Sequence, residues 1–408
     1  MILFWSWVTA SLIAVTGCAY LIAATILIRR LRSKRLRRKR FPQSRPVGQP
    51  LPGITVLKPL HGNELGLEEN LRSLCRQNYS GPVQIVFGVA DPDDAAIAVV
   101  ERLRNTGTSC DFDLVVSSVL HGGNRKVSNL INMEPRIRHP VVVLADSDIR
   151  VRPDYLGHLI AELEEPEVDV VTCLYYGDAL GGMWSKLIAL DISSHFLPNV
   201  LVGVASGLAR PCFGSTIALR RETLATLGGF KAFADYLADD YAMGLAIRAQ
   251  GGKVSIPPIA VAHMCSQETA KEVWRHEVRW ARTIRSIDPL GYAGSLFSHP
   301  FAWALLGAIL AAISAALIAG SQAAILAALA IAAVSLVCRI ILLKQVEQVF
   351  SLPPQSYWLV PARELMSFVV FIAGIVGRSV SWKDHLYQTM SGGRTLADGK
   401  TNREIKKP

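Results

Sequence analysis

The sequence predicts an α/β domain with a mostly parallel sheet, anchored by membrane helices at both ends of the chain. Three observations predict it. Short β-rich runs alternate with segments of helical spacing between residues 51 and 290; residues Ile2 to Ile28 carry no charge; and a second apolar block begins at Phe301. The alternation is that of a parallel sheet covered by helices. An uncharged run of this length can cross the roughly 30 Å hydrocarbon core of a bilayer.

The N-terminal span is assigned to residues 1–28. A basic juxtamembrane linker at 29–50 follows, with nine positive residues and no acid between Arg29 and Arg40. A cleaved leader would carry its positive charges before the apolar stretch, not after it. The positive-inside rule sets the basic flank, and with it the central domain, in the cytoplasm. The formal charge of +10 is concentrated in this run. A basic isoelectric point of such local origin does not call for a nucleic-acid partner. The proline-rich stretch Gln43 to Pro52 leads into the central domain at 51–290.

Within that domain the expected elements follow one another closely. Strands are predicted at Ile54 to Lys58, Val83 to Val89, Leu114 to Ser117, Val141 to Ala145 and Val168 to Thr172. Helices are predicted at Leu67 to Asn78, Ala95 to Leu103, Lys126 to Ile137 with an interruption at Pro135, and Pro153 to Glu164. The segment Met183 to Leu208 is apolar for a loop, and either lies in the membrane interface or packs as a core helix. Residues 301–380 form a C-terminal transmembrane or interfacial region: a hairpin of two spans broken near Gly320-Ser321-Gln322, then a short apolar run from Leu365 to Val376. The polar tail 381–408 carries Lys383, Arg394, Lys400, Arg403, Lys406 and Lys407. Seven scattered cysteines with no C-x-x-C pair exclude a disulfide framework and a zinc site as the organising feature.

Ligands of parallel α/β sheets bind beyond the carboxyl ends of the strands, so carboxylates that follow apolar strands are the first candidates. Asp91-Pro92-Asp93-Asp94 follows one strand, where helix capping competes with ligand contact. Asp146-Ser147-Asp148 follows another. Two carboxylates so spaced can reach one divalent cation, Mg2+ or Mn2+, and the phosphates it carries. Asp239-Asp240 opens a further helix, where a carboxylate either caps the helix or accepts a proton from a hydroxyl. On a helix, His276, Arg279 and Trp280 share one face. An arginine beside an aromatic ring suits pyrophosphate or sugar, and the same segment also fits a cationic helix lying on a membrane. His263 is either a satisfied core histidine or an extra metal ligand.

The order of these signals resembles one family. The segments Val56 to Gly62, Asp91 to Ala95, Lys126 to Leu130, Asp146 to Val151, Phe233 to Met243 and Arg279-Trp280 resemble the membrane glycosyltransferases of GT-A fold that carry a D, D, D, (Q/R)xxRW signature. Within these, the chain is most similar to the ceramide glucosyltransferases and to bacterial hopanoid-associated members. The resemblance implies a UDP-sugar donor, a membrane lipid acceptor and a divalent cation, in a bacterial-type inner membrane. It implies nucleotide-sugar binding by Lys58, Pro59, Asp91, Lys126 and Asp146, and metal binding by Asp146 and Asp148. Asp240 is implied as general base, with His276, Arg279 and Trp280 at the diphosphate and acceptor. Two departures stand out. His276 occupies the Gln/Arg position of the signature, and Asp148 adds a carboxylate where the animal ceramide enzymes resemble Asp-Ser-Gly. Ceramide with UDP-glucose is the leading pair; a hopanoid with UDP-N-acetylglucosamine, and then a processive polysaccharide synthase, are the alternatives.

Overall fold

The computed structural model describes residues 2–38, 50–106, 110–318, 322–377, 379–382, 385–389 and 395–397. Most of the proline-rich linker, Gly320, Ser321, and the basic tail residues named above lie outside the described residues. The chain divides into two compact units. One comprises Arg37–Leu180, Arg210–Ser266 and Arg378–Pro408; the other comprises Met1–Leu36, Gly181–Ala209 and Gln267–Gly377.

The first unit is the α/β domain. Its strands are β1 Ile54–Pro59, β2 Val83–Val89, β3 Asp111–Val116, β4 Val141–Leu144, β5 Ile149–Arg150, β6 Val168–Thr172, β7 Leu174–Ala179, β8 Ile217–Arg220, β9 Lys253–Ser255 and β10 Ala260–Cys265. Seven of them form one sheet in the order β3-β2-β1-β4-β8-β6-β9. Every neighbouring pair is parallel except those made by β8, which runs against β4 and β6. A mostly parallel sheet is therefore the observed frame. β5, β10 and β7 form a second, small sheet. Leu57, Val86, Val142, Leu144, Ile217 and Leu219 from the large sheet pack in one core with Val127, Leu130 and Met133 of the helix Arg125–Met133 and Met243 of the helix Asp239–Ala249. β1 and β4 are buried along their whole length, which explains why β4 reads as a continuous apolar run rather than an alternating one.

Differences from the sequence expectation have local causes. β3 begins at Asp111, earlier than Leu114, because it is an edge strand; Asp111 and Asp113 face Arg138, whose Nη2 lies 3.0 and 3.3 Å from them. The helix from Leu67 stops at Cys75, and the Asn78 amide donates to the Pro153 carbonyl instead. The predicted helix from Lys126 to Ile137 ends at Met133 and tightens to one 3-10 turn, Glu134–Arg136, around Pro135. At Gly88 a Cβ would meet the side chains of Met133 and Asn129, so only glycine lets the helix Arg125–Met133 lie so close to β2. In the tail, Ser379–Trp382, His385–Thr389 and Thr395–Ala397 pair as a small antiparallel sheet.

The second unit is helical. Among the described residues, five helices are long and apolar enough to cross a membrane: Leu3–Arg30, Met183–Ala205, Pro300–Leu317, Gln322–Phe350 and Tyr357–Ile375. The first belongs to one continuous helix, Ile2–Arg38. It runs on through the basic flank because Leu, Arg and Lys are good helix formers and no Gly or Pro interrupts them. The Met183 segment meets the criteria for a span, beyond the interfacial or core helix expected, and contains a π-helical stretch at Ile192–Phe196. The short run from Leu365 also lengthens into a candidate span, since Val360 to Glu364 join its helix. Arg363 and Glu364 therefore sit inside a helix, buried, rather than at its end.

Candidate active site

The carboxyl ends of β2, β1 and β4 lie side by side, since β1 pairs with both of the others. Asp91 and Asp146 follow two of those ends and Pro59 closes the third, so the sheet gathers residues from distant parts of the sequence into one edge. Asp94, not Asp91, caps the helix Ala95–Asn105: its Oδ1 accepts the Ala96 amide at 2.8 Å. Asp94 also accepts the Gly62 amide at 2.8 Å. Asp91 is left exposed at the strand end, with Oδ1 accepting the nearby Asp93 amide at 2.9 Å.

A charged cluster forms the centre of the edge. Lys126 Nζ lies 2.6 Å from Asp146 Oδ1 and 3.4 Å from Asp239 Oδ2. Burial alone would lower the lysine pKa, but Asp146, Asp239 and Asp240 outweigh it and raise the value, so Lys126 stays cationic. Asn124 fixes the start of the lysine's helix. Its Oδ1 accepts the Val127 amide at 3.2 Å, and its Nδ2 donates to the Tyr236 carbonyl at 2.7 Å. Desolvation raises the Asp146 pKa against the pull of Lys126. Asp240 is held by two backbone donors, Gly214 N–H to Oδ2 and Tyr241 N–H to Oδ1, each at 2.7 Å. Desolvation first, then the Asp239 carboxylate, push Asp240 up to about 6. Helix capping does not account for this residue, because the N-terminal cap position is Ala238.

Lys58 approaches from beneath. It is fully buried, and Nζ donates to the backbone carbonyls of Asp146 at 2.8 Å and Ile149 at 3.1 Å. Its charge therefore braces the D-x-D turn instead of opening into a pocket, and desolvation lowers its pKa to about 8. The turn is pinned further by Ser147 Oγ donating to Glu64 at 2.8 Å and by Asn70 Nδ2 donating to the Ser147 carbonyl at 3.2 Å.

Gly214 has no sequence signal, yet it is central. A Cβ there would lie 3.0 Å from Asp146 Oδ2, 3.1 Å from Lys126 Nζ and 3.4 Å from Asp240 Oδ2. The backbone passes between the charged groups only because a side chain is missing. Replacing Gly214 with Val is expected to lower any activity of this site about tenfold or more by displacing Asp146 and Asp240. The check is steady-state kinetics on protein with an unchanged melting temperature, and wild-type turnover would contradict it.

The donor set fits a hard divalent cation that shares its shell with phosphate. Asp148 Oδ1 is buried with no hydrogen-bond partner, an orphaned acceptor suited to a cation. His263 Nδ1 lies 3.6 Å from Asp148 Oδ2, because β10 pairs with β5 with His263 opposite Ile149. No cluster of three or more His, Cys, Asp or Glu side chains suited to a metal occurs among the described residues. One or two carboxylates completed by phosphate oxygens is the usual arrangement for Mg2+ at nucleotides.

His276, Arg279 and Trp280 belong to the helical unit, on the helix Ala270–Ile287. The His276 and Trp280 rings pack at a 44° tilt with centroids 4.6 Å apart, and the Phe196 ring centroid lies 6.0 Å from that of Trp280. The three side chains are partly exposed along the flank of the face on which Val273, Glu277, Val278 and Ala281 are buried.

The profile of Glycosyl transferase family 21 matches residues 9–395, and the chain belongs to that family. It is 25% identical over 240 residues to ceramide glucosyltransferase 1 of Caenorhabditis elegans, covering 59% of this chain and 51% of that one. It is 24% identical over 244 residues to an N-acetylglucosaminyltransferase of Rhizobium meliloti, covering 58% of this chain and 56% of the relative. The chain thus spans about half the length of these curated relatives. Among solved structures, a mannosyltransferase from Pyrobaculum calidifontis in complex with GDP-Man and Mn2+ is similar at a TM-score of 0.52 and 20% identity, over 90% of this chain and 97% of that one. The likeness establishes a GT-A-like fold.

Proposed function

We propose that this family 21 member transfers a sugar from a UDP-sugar to the hydroxyl of a membrane lipid, with inversion at the anomeric carbon. Glucose and ceramide are the leading pair, supported by the similarity to a ceramide glucosyltransferase. The observation that carries the reading is Asp240. It is a half-buried carboxylate oriented by two backbone amides, beside Lys126 and near the D-x-D turn, with its pKa raised to about 6. A carboxylate so tuned is basic enough to take a proton and still ionised at neutral pH.

In this mechanism Asp240 accepts the proton of the lipid hydroxyl. The hydroxyl oxygen bonds to the anomeric carbon as the bond from that carbon to the diphosphate oxygen breaks. Lys126 supplies a fixed positive charge to the leaving diphosphate. Asp146 and Asp148, with His263 adjacent, would hold a divalent cation, which when bound offsets charge on the departing diphosphate. Asp91 meets the uracil or ribose end of the donor, and Pro59 flanks it. His276, Arg279 and Trp280 contact diphosphate and acceptor. The domain faces the cytoplasm, on the side of the basic flank.

The test is transfer by purified protein, with UDP-glucose and UDP-N-acetylglucosamine offered separately against a short-chain ceramide and a hopanoid. A hexosylceramide product supports the leading pair, and an N-acetylglucosaminyl hopanoid moves the substrates while keeping the chemistry. The turnover number rises with pH through about 6 and then levels, because the base works only when deprotonated. A flat profile from about pH 5 to about pH 8 contradicts the assignment of Asp240.

A further inference from the structure

The helical unit buries two arginines and their counter-charges among helices long enough to cross a membrane. Arg339 is fully buried; its Nε donates to Glu364 at 2.6 Å, and its other two nitrogens donate to the carbonyls of Ser194 and Ser298 at 2.7 and 2.5 Å. Arg363, 1% exposed, grips Glu277 with two parallel bonds of 2.5 and 2.8 Å. Its Nε donates to Ser367 at 2.8 Å and lies 3.3 Å from Asp191 Oδ1, which itself accepts Ser367 Oγ at 2.9 Å.

Stability alone is a poor reason for such a network. Buried ion pairs are commonly matched by apolar residues of similar volume. What an arginine fork does supply is geometry, since two bonds to one carboxylate fix both distance and orientation. Glu277 stands between His276 and Val278 in the segment that also carries Arg279 and Trp280. Its face of the helix, with Val273 and Ala281, is buried, and His276, Arg279 and Trp280 lie partly exposed along the flank beside it. One residue of slippage turns a helix by about 100°, enough to carry the presented face away.

We propose that Arg363 and Glu277 are positioning residues: the fork locks the rotation of the helix Ala270–Ile287 and so aims Arg279 and Trp280. Neither side chain touches substrate in this account. The inference rests on the reading of Arg279 as a diphosphate contact.

A double-mutant cycle on the full chain tests it, using UDP-glucose with a short-chain ceramide and rates normalised to folded, monodisperse protein. Glu277→Gln is expected to lower kcat/KM for the donor about tenfold in the wild-type background, and less than about twofold when Arg279 is already Ala. Arg363→Lys, which keeps the charge and loses the fork, is expected to behave like Glu277→Gln and serves in its place if that variant does not fold. Equal losses in both backgrounds, or a silent Arg363→Lys, overturn the positioning role and leave the proposed function standing. A silent Arg279→Ala overturns the assignment of Arg279 and removes the inference with it.

Discussion

Asp240→Asn is expected to reduce transfer by about a hundred- to ten-thousand-fold, the range contributed by a positioned general base. The substitution is nearly isosteric. The amide oxygen still accepts one of the two backbone amides, Gly214 or Tyr241, and only the other loses its acceptor. What is lost is the ability to take a proton. Donor affinity is expected to change little, because Lys126, Asp146 and Asp91 are untouched. The split between kcat and donor KM is therefore the diagnostic, measured by initial rates over a donor titration. A variant with full turnover shows that another group takes the proton.

Lys126→Met has the second-largest expected effect, and it acts on stability as well as rate. The lysine is the shared counter-charge of Asp146 and Asp239 and also stabilises Asp240 by charge. Without it three carboxylates are left to repel one another in a partly desolvated site. Removing one partner of a buried pair costs about 3–5 kcal/mol; Asp146 is about a third exposed here, which reduces the expected loss to about 2 kcal/mol. The sign of the pH dependence follows. In the variant Asp146 and Asp240 lose the cation that pulls their pKa values down, so their already raised folded-state values rise further above the unfolded ones. The folded form then binds protons more readily, and its lost stability returns as pH falls. Thermal unfolding in detergent checks this, together with Asp239→Asn in the same chain, which restores part of the loss. An unchanged melting temperature at neutral pH contradicts the shared counter-charge.

The parts of the site legible in the sequence were those set by neighbours along the chain. Asp91, Asp146 and Asp148 follow apolar strands, and Asp239-Asp240 opens a helix, so local pattern alone indicates where they emerge. The Asp91 to Asp94 turn also divides as local chemistry requires: Asp94 takes the cap and Asp91 stays exposed. Features that depend on distant segments were not legible. Lys58 follows the strand pattern, but its bonds to the carbonyls of Asp146 and Ile149 depend on the pairing of β1 with β4. Gly214 has no motif because its importance is a missing Cβ between groups from three other segments. The buried network left a trace that was available: Arg339 interrupts an otherwise apolar block, and an ionisable residue inside a membrane-length helix calls for a partner. Which partner it takes is a matter of tertiary packing.

The most direct measurement is mass spectrometry of membrane lipids from cells expressing the chain or its Asp240→Asn variant, each supplied with ceramide and, separately, with hopanoid precursors. The account predicts a new glycosylated lipid with the wild-type chain and none with the variant. The same new lipid at the same level in both would contradict it.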